Sequence, residues 1–200
     1  MTGHSRNQIP ERVRILDRQI LSQAWGRLTK FTIDYRRSDG SSQELVREVY
    51  DKGDGVALLL YNRDQGTVVL TQQFRLPAFL AGVDADLIEV CAGLLDDRDP
   101  ETAIRAEAHE ETGYEIGPPQ RLWTAFMSPG AVTERLHFFV APYHAGQRTC
   151  EGGGLSSEGE DIAVLEMPLA TALSMIEDGR IIDAKTIMLL HYAALKGVCR

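Results

Sequence analysis

The sequence is poor in cysteine and contains no long apolar run, and both absences narrow the class of protein. Its three cysteines, Cys91, Cys150 and Cys199, show no Cys-x-x-Cys spacing, which argues against a disulfide framework or a zinc ribbon and favours a reducing compartment. The opening residues lack the apolar core of a signal peptide, and no apolar run approaches the roughly 18 residues of a membrane span. We therefore expect a cytoplasmic protein with no membrane partner.

Positive charge is also scarce. The 200 residues hold 21 Lys and Arg against 29 Asp and Glu, for a formal net charge of -8. An acidic surface argues against a nucleic-acid partner, so a phosphorylated substrate would need local basic residues or a metal ion. With 44% hydrophobic and 25% charged residues, the composition is typical of one globular domain with a sizeable core, to which a short N-terminal lobe is added.

Strand patterns dominate the front of the chain and helical patterns the back. The residues before 30 are predicted to be a polar, frayed start, and a hairpin turns at Asp39-Gly40. Further strands are predicted at 56–61, 67–73, 86–95, 121–127, 135–143 and 162–167, and helices at 169–178 and 184–195. This order favours an α/β fold in which a mixed sheet is packed by a few helices in an α/β/α sandwich.

One helix is predicted with defined ends between residues 99 and 113. Asp99 is a suitable N-cap, Pro100 suits the first helical position, and Gly113 suits the C-terminal stop. At about 100° per residue, Arg105, His109 and Thr112 are predicted to face away from the acidic residues of this helix.

Those acidic residues carry the functional hypothesis. Glu107, Glu110 and Glu111 share one face of the helix with Ala103 and Ile104, which is the face that a globular protein turns inward. Like charges at this spacing repel one another, and more strongly when they are partly desolvated. Oxygen ligands without histidine or thiolate suit Mg²⁺ or Mn²⁺, often shared with substrate phosphates. The alternative is a solvated acidic helix that binds nothing.

The stretch AGLLDDRDPETAIRAEAHEETGYE resembles the Nudix box, G-x5-E-x7-R-E-U-x-E-E-x-G-U, in which U is aliphatic. The residues that match its core are Gly93, Glu107, Ala108, Glu110, Glu111 and Gly113. The turn after Gly93 is one residue short, so Asp99 stands near the first glutamate of the box. Ala106 replaces the arginine, and whether the adjacent Arg105 compensates is open. The resemblance implies a Nudix fold, and either a hydrolase or a non-catalytic Nudix domain.

Motifs outside the box resemble the GDP-mannose pyrophosphatase branch, which is close to the ADP-ribose pyrophosphatases. They are REVYDKGDGVALLLYN, QQFRLPAF, MSPGAVTERLHFF, EGGGLSSEGEDIAVLEMPL and DAKTIMLL. The resemblance implies an antiparallel β extension, residues 1–52, that takes part in homodimerisation, followed by a Nudix hydrolase domain, residues 53–200. It also implies Mg²⁺-dependent cleavage of GDP-mannose to GMP and mannose 1-phosphate. The alternatives are cleavage of ADP-ribose to AMP and ribose 5-phosphate, and nucleotide-sugar binding without catalysis.

The same resemblance assigns site residues. It gives the metal to the carbonyl of Ala92 and to Glu107, Glu111 and Glu160, with Glu110 in support. It gives the substrate to Trp25, as a stacking aromatic, and to Arg47, Glu48, Arg75, Gly93, Leu94, Glu134 and Lys185. Taken singly, the tryptophan is more typical of packing, and Arg47, Arg75 and Lys185 are more typical of solvated charge. The loop EGGGLSSEGED has the composition of a lid and also of a plain surface loop, and its glycines are not a P-loop, because no Lys-Ser/Thr follows them.

Overall fold

The computed structural model of the protein describes residues 12–199. These residues divide into two compact units. The first combines the chain up to Gly53 with Ser128–Glu134, and the second combines Asp54–Met127 with the chain from Arg135 onward. Within the described range, every helix is too short or too polar to cross a membrane.

The first unit is an antiparallel sheet of β1 (Val13–Gln23), β2 (Arg27–Arg36) and β3 (Ser42–Asp51), in that order. The predicted hairpin is confirmed as β2 and β3, whose turn is closed by the Asp39 carboxylate, which accepts bonds from the backbone and hydroxyl of Ser41. The prediction of a frayed start before residue 30 was wrong for β1, and the part of it before residue 12 lies outside the described residues. Two register shifts, at Ile15/Asp17 and Ile20/Ser22, interrupt its pairing with β2 and break the alternation by which a strand is recognised.

The second unit contains a mixed sheet. Its strands are β4 (Gly55–Asn62), β5 (Thr67–Phe74), β6 (Asp86–Glu89), β7 (Cys91–Leu94), β8 (Gln120–Phe126), β9 (Arg135–Pro142) and β10 (Ala163–Pro168). The order is β10-β5-β4-β9-β8, with β6 paired to β5 and β7 to β4, and β4 and β9 run parallel. The strand predicted at 86–95 is two strands, because the chain changes partner at Val90, whose N–H is donated to the hydroxyl of Thr186.

The helices of the second unit are α1 (Leu76–Leu80), α2 (Pro100–Thr112), α3 (Leu169–Glu177) and α4 (Ala184–Lys196). The predicted α2, α3 and α4 are confirmed to within a residue or two at their ends. Sequence analysis did not identify α1, because five residues are too few to show a helical period.

The two faces of this sheet pack against different helices. On β4, Ala57 and Leu59 belong to the core shared with α3 and α4, whereas Val56, Leu58 and Leu60 belong to the core shared with α2. The second unit is therefore an α/β/α sandwich, as predicted.

Candidate active site

Helix α2 is fixed at both ends and along one side. The carboxylate of Asp99 accepts the backbone N–H groups of Glu101 and Thr102, which confirms the predicted N-cap. Gly113 ends the helix in the left-handed region, at φ 78°, and a side chain there would collide with the backbone of Cys150. Ala103, Ile104 and Ala108 bury the inward side of the helix against β4 and its neighbours.

Glu111 is the most deeply buried acid on this helix, with 1% of its surface exposed. One of its carboxylate oxygens, Oε2, accepts the backbone N–H of Ala92 at 3.2 Å. The pKa of Glu111 is raised to about 8, chiefly by burial and also by the charges of Glu107 and Glu160, against the hydrogen bonds from Cys91 and Ala92. A carboxylate in this environment favours the approach of a proton or another cation.

Glu107 lies one helical turn earlier and is half-buried. Gly93 makes room for it, because a Cβ at Gly93 would overlap its carboxylate. The pKa of Glu107 is raised to about 7, chiefly by burial and next by the neighbouring charge of Glu110. A guanidinium nitrogen of Arg98 lies 3.1 Å from its Oε1 and opposes both effects.

The other side of the helix differs from its prediction at one position. Arg105 and His109 are exposed, as expected, but the prediction that Thr112 faces away from the buried side was wrong. Thr112 is buried, and its hydroxyl donates to the carbonyl of Ala108, one turn back. This bond lets a threonine enter an apolar core without an unpaired hydroxyl.

The loop that carries Glu160 is bound to the end of α2. The N–H groups of Gly153 and Gly154 donate to the carbonyls of Glu111 and Glu110, at 2.9 and 3.0 Å. Glu160 is half-buried, its Oε2 accepts the N–H of Leu155 at 2.8 Å, and its charge contributes to the raised pKa of Glu107 and Glu111. The loop therefore holds one acid near the helix.

The three acids are close enough to interact, but they are not arranged as a metal cage. Residues 12–199 contain no group of three or more His, Cys, Asp or Glu side chains positioned to hold an ion. Each carboxylate points to a protein partner instead: Glu111 to Ala92, Glu107 to Arg98, and Glu160 to Leu155. The donors are all hard oxygens, and the raised pKa values give a divalent cation a favourable site, so their chemistry fits Mg²⁺ or Mn²⁺.

Arg75 and Lys185 of the second unit, both predicted to bind substrate, contact the same residue, Glu89, which sequence analysis missed. Glu89, 3% exposed, accepts Nε and Nη2 of Arg75 at 3.0 and 2.6 Å, and Nζ of Lys185 lies 3.5 Å from the same oxygen. Lys185 also pairs with Asp183 at 3.0 Å. An available signal was the position of Glu89 between Ile88 and Val90 in a strand pattern, which indicates a buried charge in need of partners.

In the first unit, Trp25 follows β1 and is 71% exposed, which argues against a role in core packing. The ammonium of Lys52 lies 5.7 Å from the centre of its ring and forms an ion pair with Glu134. Sequence analysis missed Lys52. Arg47 and Glu48 are exposed neighbours on β3, so this unit presents an aromatic ring and charges of both signs.

Gly93 and Leu94 lie on β7, beside the acidic helix. Gly93 faces Glu107, as described above, and the carbonyl of Leu94 accepts Nη2 of Arg98 at 3.3 Å. Gly93 thus lies against an acid of α2, whereas Leu94 contacts the arginine that pairs with that acid, and the binding of substrate by both residues stays a prediction.

Two family models together match most of the chain. Residues 12–50 match the family described as the GDP-mannose pyrophosphatase NudK N-terminal domain, and residues 51–190 match the NUDIX domain. The chain is similar to the GDP-mannose pyrophosphatase of Pectobacterium atrosepticum, with 52% identity over 92% of this chain and 95% of the relative. It is 50% identical to the GDP-mannose pyrophosphatase of Yersinia enterocolitica, over 91% of this chain and 95% of that one.

Among solved structures, the chain resembles the crystal structure of an ADP compounds hydrolase with a TM-score of 0.69. The match covers 96% of this chain and 98% of the other at 18% sequence identity, which establishes a shared fold. The Nudix box on α2, the α/β/α sandwich and the match over residues 51–190 lead to one assignment: the chain belongs to the Nudix family of hydrolases.

Proposed function

We propose that this protein hydrolyses the pyrophosphate bond of a nucleotide sugar, and that its substrate is GDP-mannose, split by water into GMP and mannose 1-phosphate. The observation that carries the proposal is a pair of glutamates one turn apart on α2, the half-buried Glu107 and the buried Glu111, whose pKa values are raised to about 7 and 8. Relatives about half identical over nearly the full chain are named for this substrate, which supports the choice of base and sugar.

A divalent cation, Mg²⁺ with Mn²⁺ as a substitute, would be held by Glu107, Glu111, Glu160 and the carbonyl of Ala92. When bound, it supplies charge neutralisation for the two phosphates and polarises water. The protein contributes buried carboxylates whose mutual repulsion favours a cation, and Gly93 leaves the space in which the carboxylate of Glu107 lies. Glu110 is half-buried on the same helix and supports this set.

Phosphate charge is met by Arg75 and Lys185, which Glu89 holds side by side. An arginine fork and a lysine ammonium suit two oxygens of a diphosphate. In the proposal Gly93 and Leu94 line this part of the site. The base stacks on Trp25, and Arg47, Glu48 and Glu134 provide further polar contacts.

Proton transfer is assigned to the acid on the loop. Glu160 is the member of Glu158, Glu160 and Asp161 that is half-buried, whereas the other two are exposed. Its carboxylate, released from Leu155, would accept the proton that the attacking water loses.

The proposal is tested with purified protein, Mg²⁺ and a panel that includes GDP-mannose, ADP-ribose and other nucleotide sugars, with product release followed by chromatography. We expect the highest kcat/KM for GDP-mannose, equal amounts of GMP and mannose 1-phosphate, and no turnover in excess EDTA. A preference for ADP-ribose, yielding AMP and ribose 5-phosphate, would identify the protein as an ADP-ribose pyrophosphatase instead. Calorimetric binding of a nucleotide sugar without any turnover would identify a non-catalytic binding domain.

We also propose a homodimer in the cytoplasm, formed through residues 1–52 and active through residues 53–200. The described part of the first region offers exposed apolar side chains on β1, among them Ile15, Ile20 and Leu21. The location rests on the three unpaired cysteines. Light scattering coupled to size exclusion should give twice the 22.2 kDa chain mass, and a monomer mass would contradict the proposal.

A further inference from the structure

Arg98, in the turn directly before α2, contacts one of the acids of that helix. Its Nη2 is 3.1 Å from Oε1 of Glu107 and 3.3 Å from the carbonyl oxygen of Leu94. The side chain of Glu107 is 13% exposed and that of Arg98 is 34% exposed, so the ion pair is partly shielded from water. An ion pair at this depth restrains a carboxylate more than a fully exposed pair does.

The turn before α2 brings Arg98 to this position. The N–H of Arg98 donates to the carbonyl of Leu95 at 3.0 Å, which closes a tight turn. Asp96, inside that turn, has a φ of 49°, and it is the one non-glycine with a positive φ among residues 12–199. Asp96 also lies 3.5 Å from Nη2 of Arg98. This turn is one residue shorter than the turn of the box pattern. It places the guanidinium of Arg98 against Glu107 of α2.

The two residues that precede Glu107 in the chain do not supply this charge. Ala106 stands at the arginine position of the box and is neutral. Arg105 is exposed on the outer side of α2 and makes no ion pair within the described residues. The guanidinium that contacts Glu107 therefore comes from nine residues earlier in the sequence.

We propose that Arg98 is the positioning residue for Glu107, in place of the missing box arginine. Its bond to Oε1 holds the carboxylate, which would be a ligand of the cation, in one orientation. Its permanent positive charge also offsets the repulsion between Glu107 and Glu110 before a cation arrives. The proposal rests on the proposed function in one respect, that Glu107 is a ligand of the divalent cation.

The test compares Arg98→Ala with Arg105→Ala, which removes an arginine of the same helix region that contacts no acid. Mn²⁺ affinity is measured without substrate, by electron paramagnetic resonance of free Mn²⁺, and kcat is measured separately with GDP-mannose. We expect Arg98→Ala to weaken Mn²⁺ binding by at least about tenfold, as outer-shell partners of metal ligands do, and to lower kcat more than it changes KM. Arg105→Ala should match the wild type in both measurements.

The decisive variant is Arg98→Ala combined with Ala106→Arg, which restores an arginine at the box position. Partial recovery of Mn²⁺ affinity supports a positioning role, because a purely structural role of Arg98 in its turn is not rescued from residue 106. Equal Mn²⁺ affinity in Arg98→Ala and Arg105→Ala overturns the proposal. If Arg98→Ala does not fold, Arg98→Gln is titrated in the same way and judged by the same outcomes.

The two proposals fail separately. A wild-type protein that turns over no nucleotide sugar refutes the proposed function, while the Mn²⁺ titration still decides the role of Arg98. Turnover of GDP-mannose with an Mn²⁺ affinity that is insensitive to residue 98 refutes the role of Arg98 alone.

Discussion

Two glutamates of the second unit are buried to the same degree and yet have opposite surroundings. Glu89 is 3% exposed and contacts the cations of Arg75 and Lys185. Glu111 is 1% exposed and, within residues 12–199, forms no ion pair with a lysine, arginine or histidine. A buried carboxylate costs free energy unless a cation accompanies it. Under the proposed function, the comparison separates a carboxylate that organises the protein from one that would take its cation from solution.

The largest effect should come from Glu111→Gln. This change keeps the shape of the side chain but removes the charge that would bind a cation, so kcat should fall by at least about 10²-fold. Folding should survive, because the neutral amide is easier to bury than the carboxylate. Steady-state assays with Mg²⁺ check the result, and Glu115→Gln, at an exposed position beyond the helix end, is the control. Turnover close to wild type in Glu111→Gln would remove α2 as the metal site.

Glu89→Gln should affect stability first. Without its charge, Arg75 loses the carboxylate that it binds and Lys185 keeps only Asp183, so we expect the free energy of unfolding to fall by about 2 kcal/mol. The figure lies below the range for fully buried pairs because the Arg75 side chain is 38% exposed. The melting temperature should drop by about 4–8 °C and KM should rise. A melting temperature equal to that of the exposed control Glu177→Gln would show that the cations do not depend on Glu89.

The pH dependence of stability offers a third way to separate the two glutamates. The pKa of Glu111 is about 8 in the folded protein and near 4.5 for an unperturbed glutamate, so the folded state keeps a proton that the unfolded state has released. The free energy of unfolding of the metal-free protein should therefore decrease as pH rises from about 4.5 to 8, and Glu107, with a pKa of about 7, acts in the same direction.

Glu111→Gln removes this contribution. In EDTA, the melting temperature of the wild type should fall relative to that of the variant by about 3 °C or more between pH 5.5 and 8.5. Calorimetry in matched buffers measures this difference. If the difference in melting temperature between wild type and variant stays constant across this pH range, ionisation of Glu111 does not destabilise the folded protein.

Much of the fold was predictable from local signals. The cap, the proline and the terminal glycine of α2 act within a few residues, and so do the turn residues of the β2–β3 hairpin. The bulged strand β1 and the five-residue α1 were missed because each lacks a readable period. The break at Val90 depends on Thr186, nearly a hundred residues away, and no local pattern reports it.

The candidate site likewise contains residues that could be predicted from local sequence and residues that could not. The glutamates of α2 were identified from their spacing, because spacing on a helix sets the face. Arg98 was not identified, because its approach to Glu107 depends on the backbone of Asp96 rather than on residue type. The meeting of Arg75 and Lys185 at Glu89 joins three separate segments of chain, which only tertiary structure brings together.

The smallest predicted effect concerns Glu160. It tests whether this loop acid acts together with Glu111 or is a surface residue without a catalytic role. Glu160 is half-buried, is bonded to Leu155 and raises the pKa of Glu111, whereas Glu158 is exposed at the end of a short 3₁₀ turn. A group that takes a proton from water as it attacks contributes more in the transition state than in the free enzyme.

Glu160→Gln should therefore lower kcat by about tenfold and leave KM nearly unchanged, while Glu158→Gln should leave both unchanged. Both variants remove one negative charge from the same loop, so a difference between them cannot come from net charge. Steady-state kinetics of the two variants with GDP-mannose and Mg²⁺ decide the matter. The opposite result, damage from Glu158→Gln alone, would mean that the assignment within this loop is wrong by two residues. If neither variant loses activity, the proton must be accepted on α2, at Glu110 or Glu107.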